Sequence, residues 1–259
     1  METVRRHSFQ NHSGRAITTL YSFCEQYACE DGAYPLGLLQ STDGNFYGIT
    51  LEGGNNGCVN TPGCGVVYEI NRGTLTTLYA FSGKKDGSFP ETLVQATDGN
   101  FYGPTFSDGA KKGGTLFTIS PESFLLTTLH DFCDPSRHCS VRGGTFPEEL
   151  IQATDGKFYG TTWQGGTSDA GTFFSLDVGL SPFVTFIRSN GKVRDSVGIL
   201  GQGFTGTTSV AFNVTPAKFT VVSDTFIKAT VPARATTGYV TVTTPSGKLT
   251  SNVPFLVIP

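Results

Sequence analysis

The heptad TDGNFYG occupies residues 42–48, recurs unchanged at 97–103 and returns as TDGKFYG at 154–160. Its aspartates are Asp43, Asp98 and Asp155, so the copies are 55 residues (98 minus 43) and 57 residues (155 minus 98) apart. A catalytic site is needed only once in a chain. The triplication therefore indicates architecture before it indicates chemistry.

The similarity between the copies extends well beyond the heptad. Two further segments recur in each repeat: TTLYSF (18–23), TTLYAF (76–81) and TTLHDF (127–132), and GVVYEI (65–70), GTLFTI (114–119) and GTFFSL (171–176). Each repeat thus holds about four short β-rich runs, separated by Gly, Asp and Pro. Four strands per repeat at this period predict a β-propeller-like blade, and three such blades in an all-β chain.

The Asp-Gly pair inside the heptad predicts a hairpin turn. Asp-Gly between two apolar runs is typical of a type I′ turn, whose central residues need positive φ. Phe46 and Tyr47 are adjacent and should point to opposite faces of their strand, which suits a blade covered on both faces. A metal-binding role for the three aspartates is disfavoured, because calcium takes six to eight oxygens and each turn offers one carboxylate. No metal or cofactor is expected.

The order of the runs predicts an incomplete third repeat. The chain enters the repeats with a TTLYSF run and leaves them after GTFFSL, before another such run appears. In closed propellers the N-terminal strand commonly completes the last blade and removes an open sheet edge. Three blades are fewer than the usual four to eight. A truncated product, self-association that completes a ring, and an open fan all remain compatible with this order.

Composition excludes several classes of function. Charged residues make up 15% of the 259, the net charge is −3 and the pI is near 5.8, so no basic surface for nucleic acid is indicated. No apolar run is long enough for a membrane span. Residues 1–16 contain basic residues without the apolar core of a secretory signal, and we expect them to be disordered.

The six cysteines fall in three local pairs within extended loops. A disulfide across each pair explains why these loops are longer than the corresponding cysteine-free loops, and each closure contributes about 2 kcal/mol. Zinc is the alternative, but the spacings are not C-x2-C. Disulfides imply an oxidising compartment, so we expect an extracellular or cell-surface protein whose true start is uncertain. The predicted pairs are Cys24–Cys29, Cys58–Cys64 and Cys133–Cys139.

The residue pattern of the sequence changes near residue 180. Repeats stop, and runs such as SVAFNV (209–214) and FIKATVP (226–232) alternate apolar and polar residues, as in a half-buried antiparallel sheet. Six or seven short strands in about 80 residues predict an immunoglobulin-like sandwich. We therefore predict a repeat region at 17–178 and a separate domain at 179–259.

Two family resemblances fit this division. Residues 181–259, with a G-x-G-F turn at Gly201–Phe204 and an ATVP strand end, resemble IPT/TIG domains, which serve mostly as spacers or binding modules outside the cell. The repeats resemble the Gloeobacter/Verrucomicrobia (GloVer) tandem repeat of bacterial surface or exported proteins, and more loosely the blades of two-component regulator propellers. Neither resemblance implies a reaction.

The sequence contains no H-E-x-x-H motif, no G-x-S-x-G nucleophile elbow and no G-x-x-x-x-G-K-[ST] loop. His130 replaces a repeat tyrosine and is expected to be a packed strand residue. Glu91 and Glu148 follow Pro90 and Pro147 at equivalent repeat positions, which favours a structural role. A glycan-cleaving enzyme needs two carboxyl groups, and the sequence does not identify such a pair.

Binding is the function that the sequence favours. Exposed aromatic side chains stack on sugar rings, and the candidate contacts are Trp163, Tyr47, Tyr102 and Tyr159. Three tyrosines in repeat register also suit core packing, whereas Trp163 is unique. We expect a non-catalytic surface protein that binds a glycan or protein and whose three blades form a partial or self-associating propeller. A glycan-cleaving enzyme and a pure spacer are the alternatives.

Overall fold

The computed structural model describes residues 8–10, 16–25, 27–54, 57–58, 61–134, 136 and 143–259. Two compact units divide the chain: Met1–Leu150 with Gly160–Phe174, and Ile151–Tyr159 with Ser175–Pro259. Strands make up almost all of the regular structure, which confirms the all-β prediction. The predicted boundary at residue 178 stays a prediction, because the division runs through the sheet of the third repeat.

Repeats 1 and 2 each form an antiparallel sheet of the predicted kind. Both sheets keep the strands in sequence order, except that the innermost strand of repeat 2 is split in two. The strands of repeat 1 are β3 (Ala33–Gln40), β4 (Phe46–Glu52), β5 (Val66–Asn71) and β6 (Thr74–Ala80). Those of repeat 2 are β7 (Ser88–Pro90), β8 (Val94–Gln95), β9 (Phe101–Ser107), β10 (Lys112–Ile119) and β11 (Leu126–Cys133).

Repeat 3 has three strands, as the order of the runs predicts. They are β12 (Thr145–Gln152), β13 (Phe158–Gln164) and β14 (Thr172–Leu176), with β14 last in the sheet. At the other end of the repeats, β1 (Ser8–Gln10) and β2 (Ala16–Thr18) form a two-stranded antiparallel ladder, and a short 3-10 helix spans Tyr27–Cys29. Ser8–Gln10 and Ala16 belong to the segment 1–16 that is expected to be disordered; residues 1–7 and 11–15 lie outside the described residues, so that expectation stays a prediction.

The Asp-Gly turns are present, but their type differs from the prediction. In repeat 1 the Gly44 N–H donates to the Ser41 carbonyl, the Ser41 N–H donates to the Asn45 carbonyl, and only Gly44 has positive φ. This is a type I turn followed by a left-handed glycine. The type I′ prediction is wrong because that turn would force Asp43 into positive φ, whereas here its carboxylate accepts the Asn45 N–H. Repeats 2 and 3 repeat both backbone bonds.

A buried threonine joins the second and third strands of each repeat. Its Oγ1 accepts a hydrogen bond from a backbone N–H near the start of the next strand, with N–O distances of 3.0–3.1 Å. The donors are Val66, Thr115 and Thr172. All three threonines are almost fully buried. A glycine with positive φ packs directly on each threonine. The threonine and glycine pairs are Thr50 with Gly32, Thr105 with Gly87, and Thr162 with Gly144.

Repeats 1 and 2 share one apolar core. Tyr47 of repeat 1 packs on Phe101 of repeat 2 with ring centroids 4.5 Å apart, and Phe81 packs on Phe117 at 5.2 Å. Phe101 and Tyr102 are both buried, so the middle repeat is covered on both faces, as expected for a blade between two others.

The C-terminal unit contains a β-sandwich. Its two four-stranded sheets have the orders β15-β17-β21-β20 and β19-β18-β22-β23, and a parallel pair joins β16 to β24. Alternating residues of both sheets, such as Ile199, Phe212, Ile227 and Val242, form one buried core. The strands are β15 (Thr185–Phe186), β16 (Asn190–Lys192), β17 (Ser196–Leu200), β18 (Ser209–Phe212), β19 (Thr215–Pro216), β20 (Phe219–Ser223), β21 (Phe226–Thr230), β22 (Val240–Thr244), β23 (Gly247–Thr250) and β24 (Leu256–Ile258).

Two of the predicted disulfides are confirmed. Cys24 is bonded to Cys29 and Cys58 to Cys64, each within a single extended loop. Cys139 lies outside the described residues, so its predicted bond to Cys133 stays a prediction.

We expect Gly87→Ala to lower the free energy of unfolding by about 2–5 kcal/mol, because a methyl group there meets Thr105 and the residue has φ +84°. The control is Gly99→Ala, with φ +85° but no atom within 4 Å of the added carbon, which should cost about 1–2 kcal/mol. Denaturant unfolding of both variants measures the difference. Equal losses would show that packing on the threonine contributes nothing.

Candidate functional site

The three repeat tyrosines are held inside their own repeats. Each hydroxyl donates to the aspartate four residues earlier, at 2.8, 2.9 and 2.8 Å for Tyr47, Tyr102 and Tyr159. Tyr47 and Tyr102 are nearly fully buried and Tyr159 is half-buried. These placements favour a structural role over ligand contact, because the hydroxyl is used and two of the rings are covered.

The tyrosine–aspartate bonds also set protonation states. Burial and the bond to Asp98 raise the pKa of Tyr102 to about 12, so its phenol remains a donor. Burial acts to raise the pKa of Asp43, but hydrogen bonds from the Asn45 N–H and the Tyr47 and Ser41 hydroxyls outweigh it and lower that pKa. Burial and the bond to Asp43 raise the pKa of Tyr47, so in repeat 1 a neutral phenol faces an ionised carboxylate at ordinary pH, an arrangement that stiffens the turn.

Trp163 lies at the end of β13 and is the most exposed of the four candidate residues, at 57%. Its ring centroid is 6.1 Å from that of Phe106 and 6.4 Å from that of Phe146, and the two phenylalanine rings stack at 5.2 Å. We call these three side chains the aromatic cluster. It presents a broad apolar surface, half open to solvent, that spans repeats 2 and 3.

Sequence reasoning found Trp163 but missed both phenylalanines. Phe106 occupies the same repeat position as Trp163, directly after the buried threonine, and Leu51 stands there in repeat 1. That equivalence could have identified Phe106. The stack with Phe146 could not be foreseen, because it depends on how one repeat packs on the next.

Phe146 is held in an unusual backbone conformation. Its φ is +57°, and the equivalent Tyr34 and Phe89 have φ of +57° and +58°. Positive φ is strained for bulky residues and persists only where the surrounding structure enforces it. The recurrence shows that the repeat architecture imposes the conformation. In repeat 3 its effect is to place the Phe146 ring against Phe106.

The second candidate feature is a group of carboxylates. Glu91 is half-buried between β7 and β8, while Glu148 and Glu149 lie on β12, just after Phe146 and Pro147. Burial raises the pKa of Glu91, and repulsion from Glu148 and Glu149 raises it further. The structure therefore brings Glu91 and Glu148, for which the sequence favoured a structural role, close enough to repel each other, together with Glu149, which sequence reasoning missed.

His130 packs in a strand, as expected. Its ring meets that of Phe132 edge-on at 4.7 Å, and burial, aided by Lys111, lowers its pKa although Asp131 opposes the shift. Tyrosines at this position in the other repeats donate to Asp31 and Asp86, and Gly143 replaces that aspartate in repeat 3. Repeat 3 therefore has a histidine in place of the tyrosine and a glycine in place of the aspartate that would accept its hydrogen bond. His7, His12 and His138 lie outside the described residues.

Among the described residues no group of three or more His, Cys, Asp or Glu side chains is placed to hold a metal ion. Within the same residues no helix is both long and apolar enough to cross a bilayer.

Comparison with solved structures finds distant similarity. The chain is 13% identical to a virginiamycin B lyase from Staphylococcus aureus, over 92% of this chain and 73% of that one, with a TM-score of 0.36. It is 13% identical to a fungal alcohol oxidase of the AA5 family in complex with copper, over 88% and 55%, with a TM-score of 0.38. It is 14% identical to a putative gluconolactonase, over 88% of this chain and 67% of that one, with a TM-score of 0.36. These TM-scores are too low to assign the fold, so the fold assignment depends on the sheets described above.

No curated protein matches the chain. The model of the Gloeobacter/Verrucomicrobia repeat matches residues 8–215, which include all three repeats and extend into the sandwich. The chain therefore belongs to the Gloeobacter/Verrucomicrobia repeat family.

Proposed function

We propose that this protein is a non-catalytic, extracellular or cell-surface binding protein whose ligand contacts the aromatic cluster. The exposed ring of Trp163, backed by Phe106 and Phe146, is the observation that carries the proposal. A wide aromatic surface of this kind is uncommon on a soluble repeat unless it contacts something. Two disulfides support the extracellular location, since such bonds persist in oxidising compartments.

A glycan is the ligand class that fits best. An aromatic side chain buries roughly 150–250 Å² when it is fully covered, and its flat ring is suited to the apolar face of a sugar ring. The three side chains belong to two neighbouring repeats, so a ligand larger than one sugar unit could contact all of them. A protein ligand with an exposed apolar segment is the other outcome of the binding test.

Residues 179–259 are proposed to act as an IPT/TIG-type spacer or binding module. Their sandwich core is complete, with twelve buried residues in one cluster. A self-contained core suits a module that presents the repeats at a distance from a surface. Self-association of the repeats belongs to the same proposal.

We expect Trp163→Ala to weaken glycan binding at least tenfold while leaving the melting temperature within about 2 °C of the original. The ring is half exposed, so its loss removes little buried area, whereas a stacking contact contributes on the order of 1–2 kcal/mol to binding. A glycan array followed by titration calorimetry on the best ligand measures the effect.

Tyr239→Ala is the matched control, because Tyr239 is a half-exposed aromatic residue of the sandwich, 51% exposed. It should leave binding unchanged. Absence of any ligand on glycan and peptide arrays would favour the pure-spacer alternative. A large fall in melting temperature for Trp163→Ala would assign that ring to the core.

The acidic group supports a second candidate function, a glycan-cleaving enzyme. Hydrolysis of a glycosidic bond needs a protonated acid and an ionised carboxylate, and the raised pKa of Glu91 beside Glu148 resembles that requirement. Under our proposal the wild type and a Glu91→Gln/Glu148→Gln variant release reducing ends from bound glycans at the same background rate. A wild-type rate that the double variant lowers a hundredfold would establish the enzyme.

The raised pKa of Glu91 also predicts how the stability of the fold depends on pH. A carboxyl group whose pKa is raised in the folded state stabilises the fold below its unfolded pKa of about 4.3, and this contribution is lost as the pH rises through the folded pKa. Glu91→Gln should therefore melt at a higher temperature than the wild type at pH 7, and the difference should shrink at pH 4.

Thermal unfolding at both pH values measures this difference. Glu122→Gln, at an exposed position, is the control and should change neither melt. If Glu91→Gln destabilised the protein at pH 7, the ionised carboxylate would be making a favourable contact, contrary to the repulsion described above.

A further inference from the structure

The contact between repeats 1 and 2 defines two faces of a blade. The trailing face of repeat 1 supplies Leu39, Tyr47, Ile49 and Val67 to the shared core. The leading face of repeat 2 supplies Leu93, Phe101, Phe117 and Ile119. Each apolar face is thus buried by the opposite face of the neighbouring repeat.

The leading face of repeat 1 is exposed by comparison. Leu38 occupies the repeat position of Leu93 and is 63% exposed, whereas Leu93 is 9% exposed. Phe46 occupies the position of Phe101 and is 42% exposed, whereas Phe101 is 1% exposed. Residues that one repeat buries against its neighbour are therefore open to solvent in the first repeat.

The segment 18–23 lies on this leading face in the place of a fourth strand. Phe23 packs on Tyr68 at 5.0 Å, as Phe81 packs on Phe117 and Phe132 packs on Phe174, at 5.2 and 5.4 Å. The Tyr21 hydroxyl donates to Asp31, as Tyr79 donates to Asp86. Segment 18–23 thus contacts repeat 1 as the outer strand of a preceding blade would.

A groove remains beside this segment. It has a volume of about 400 Å³, and its lining includes Leu20, Leu36, Leu38 and Tyr68. Most of the lining side chains are apolar, so water in the groove is displaced favourably by another apolar surface.

Repeat 3 carries the complementary features. β14 is the last strand of a three-stranded sheet, and among the described residues no strand takes the place beside it that β6 and β11 take beside β5 and β10. Phe173, at the position of Val67 and Leu116, is 73% exposed, whereas those two residues are almost fully buried. An exposed strand edge with apolar side chains is a template for pairing with another chain.

We propose that the leading face of repeat 1 is a docking surface for repeat 3 of a second copy of this chain. In that contact β14 of one copy pairs with residues 19–22 of the other, and the trailing face of repeat 3 covers Leu38 and Phe46. The register is specified by the complete repeats, where Val67 lies opposite Tyr79 and Leu116 opposite His130. Phe173 of one copy then lies opposite Tyr21 of the other.

Two copies joined in this way bring together six repeats, a number within the four to eight blades that propellers contain. The contact is head-to-tail, and such contacts generate rings when the rotation closes. This inference rests on the self-association proposed above and is independent of glycan binding at Trp163.

The test is the mass of the full chain in solution, measured by light scattering after gel filtration. We expect twice the chain mass of 27.6 kDa. Leu38→Asp damages only the accepting face and Phe173→Asp only the donating face, so each should shift the protein to monomer. Both residues are largely exposed, and circular dichroism should show unchanged folding.

Mixing the two variants separates head-to-tail pairing from any symmetric contact. The mixture retains one intact accepting face and one intact donating face, so a heterodimer should re-form at raised concentration. Val222→Asp, at a 53% exposed sandwich position, is the control and should remain dimeric. A monomeric wild type, a dimer insensitive to both changes, or a mixture that stays monomeric would overturn the proposal. Glycan binding by a monomer would leave the proposed function standing.

Discussion

The packing of one repeat sheet on the next is the interaction on which the rest of the structure depends. A four-stranded sheet of this composition has two apolar faces, and neither the short strands nor the turns can bury them alone. The contact of Tyr47 with Phe101, together with that of Phe81 with Phe117, covers one face of each sheet. Hydrophobic burial of this kind is proportional to the area removed from water, so each added repeat stabilises its neighbours.

This constraint explains why the candidate site lies where it does. The buried threonine and the glycine that packs on it form a tight corner in each repeat, and the residue after the threonine is directed outward at that corner. Phe106 and Trp163 occupy this position in successive repeats. The positive φ of Phe146, imposed by the same corner, completes an aromatic surface that no single repeat could make.

Repetition also separates structural from functional residues. The aspartates and tyrosines of the heptad serve the same hydrogen bond three times, which identifies them as part of the fold. Departures from the repeat carry more information. Trp163 stands where the other repeats have Leu51 and Phe106. His130 and Gly143 stand where the other repeats have a tyrosine and the aspartate to which it donates. Glu91 and Glu148 stand where repeat 1 has Leu36. The group of Glu91, Glu148 and Glu149 arises because consecutive repeats place these positions near one another.

The sequence by itself determined the all-β class, the four-stranded unit, the three described strands of repeat 3, the alternating core of the sandwich and two disulfides. These features depend on local patterns of apolar residues, turn residues and cysteine spacing, which act over a few neighbours along the chain. Only the tertiary structure decided the type of the Asp-Gly turn, the burial of Tyr47 and Tyr102, the stack of Phe106 on Phe146 and the repulsion around Glu91. Those features depend on which residues of one repeat meet those of the next, and contacts between residues distant in sequence leave no local pattern.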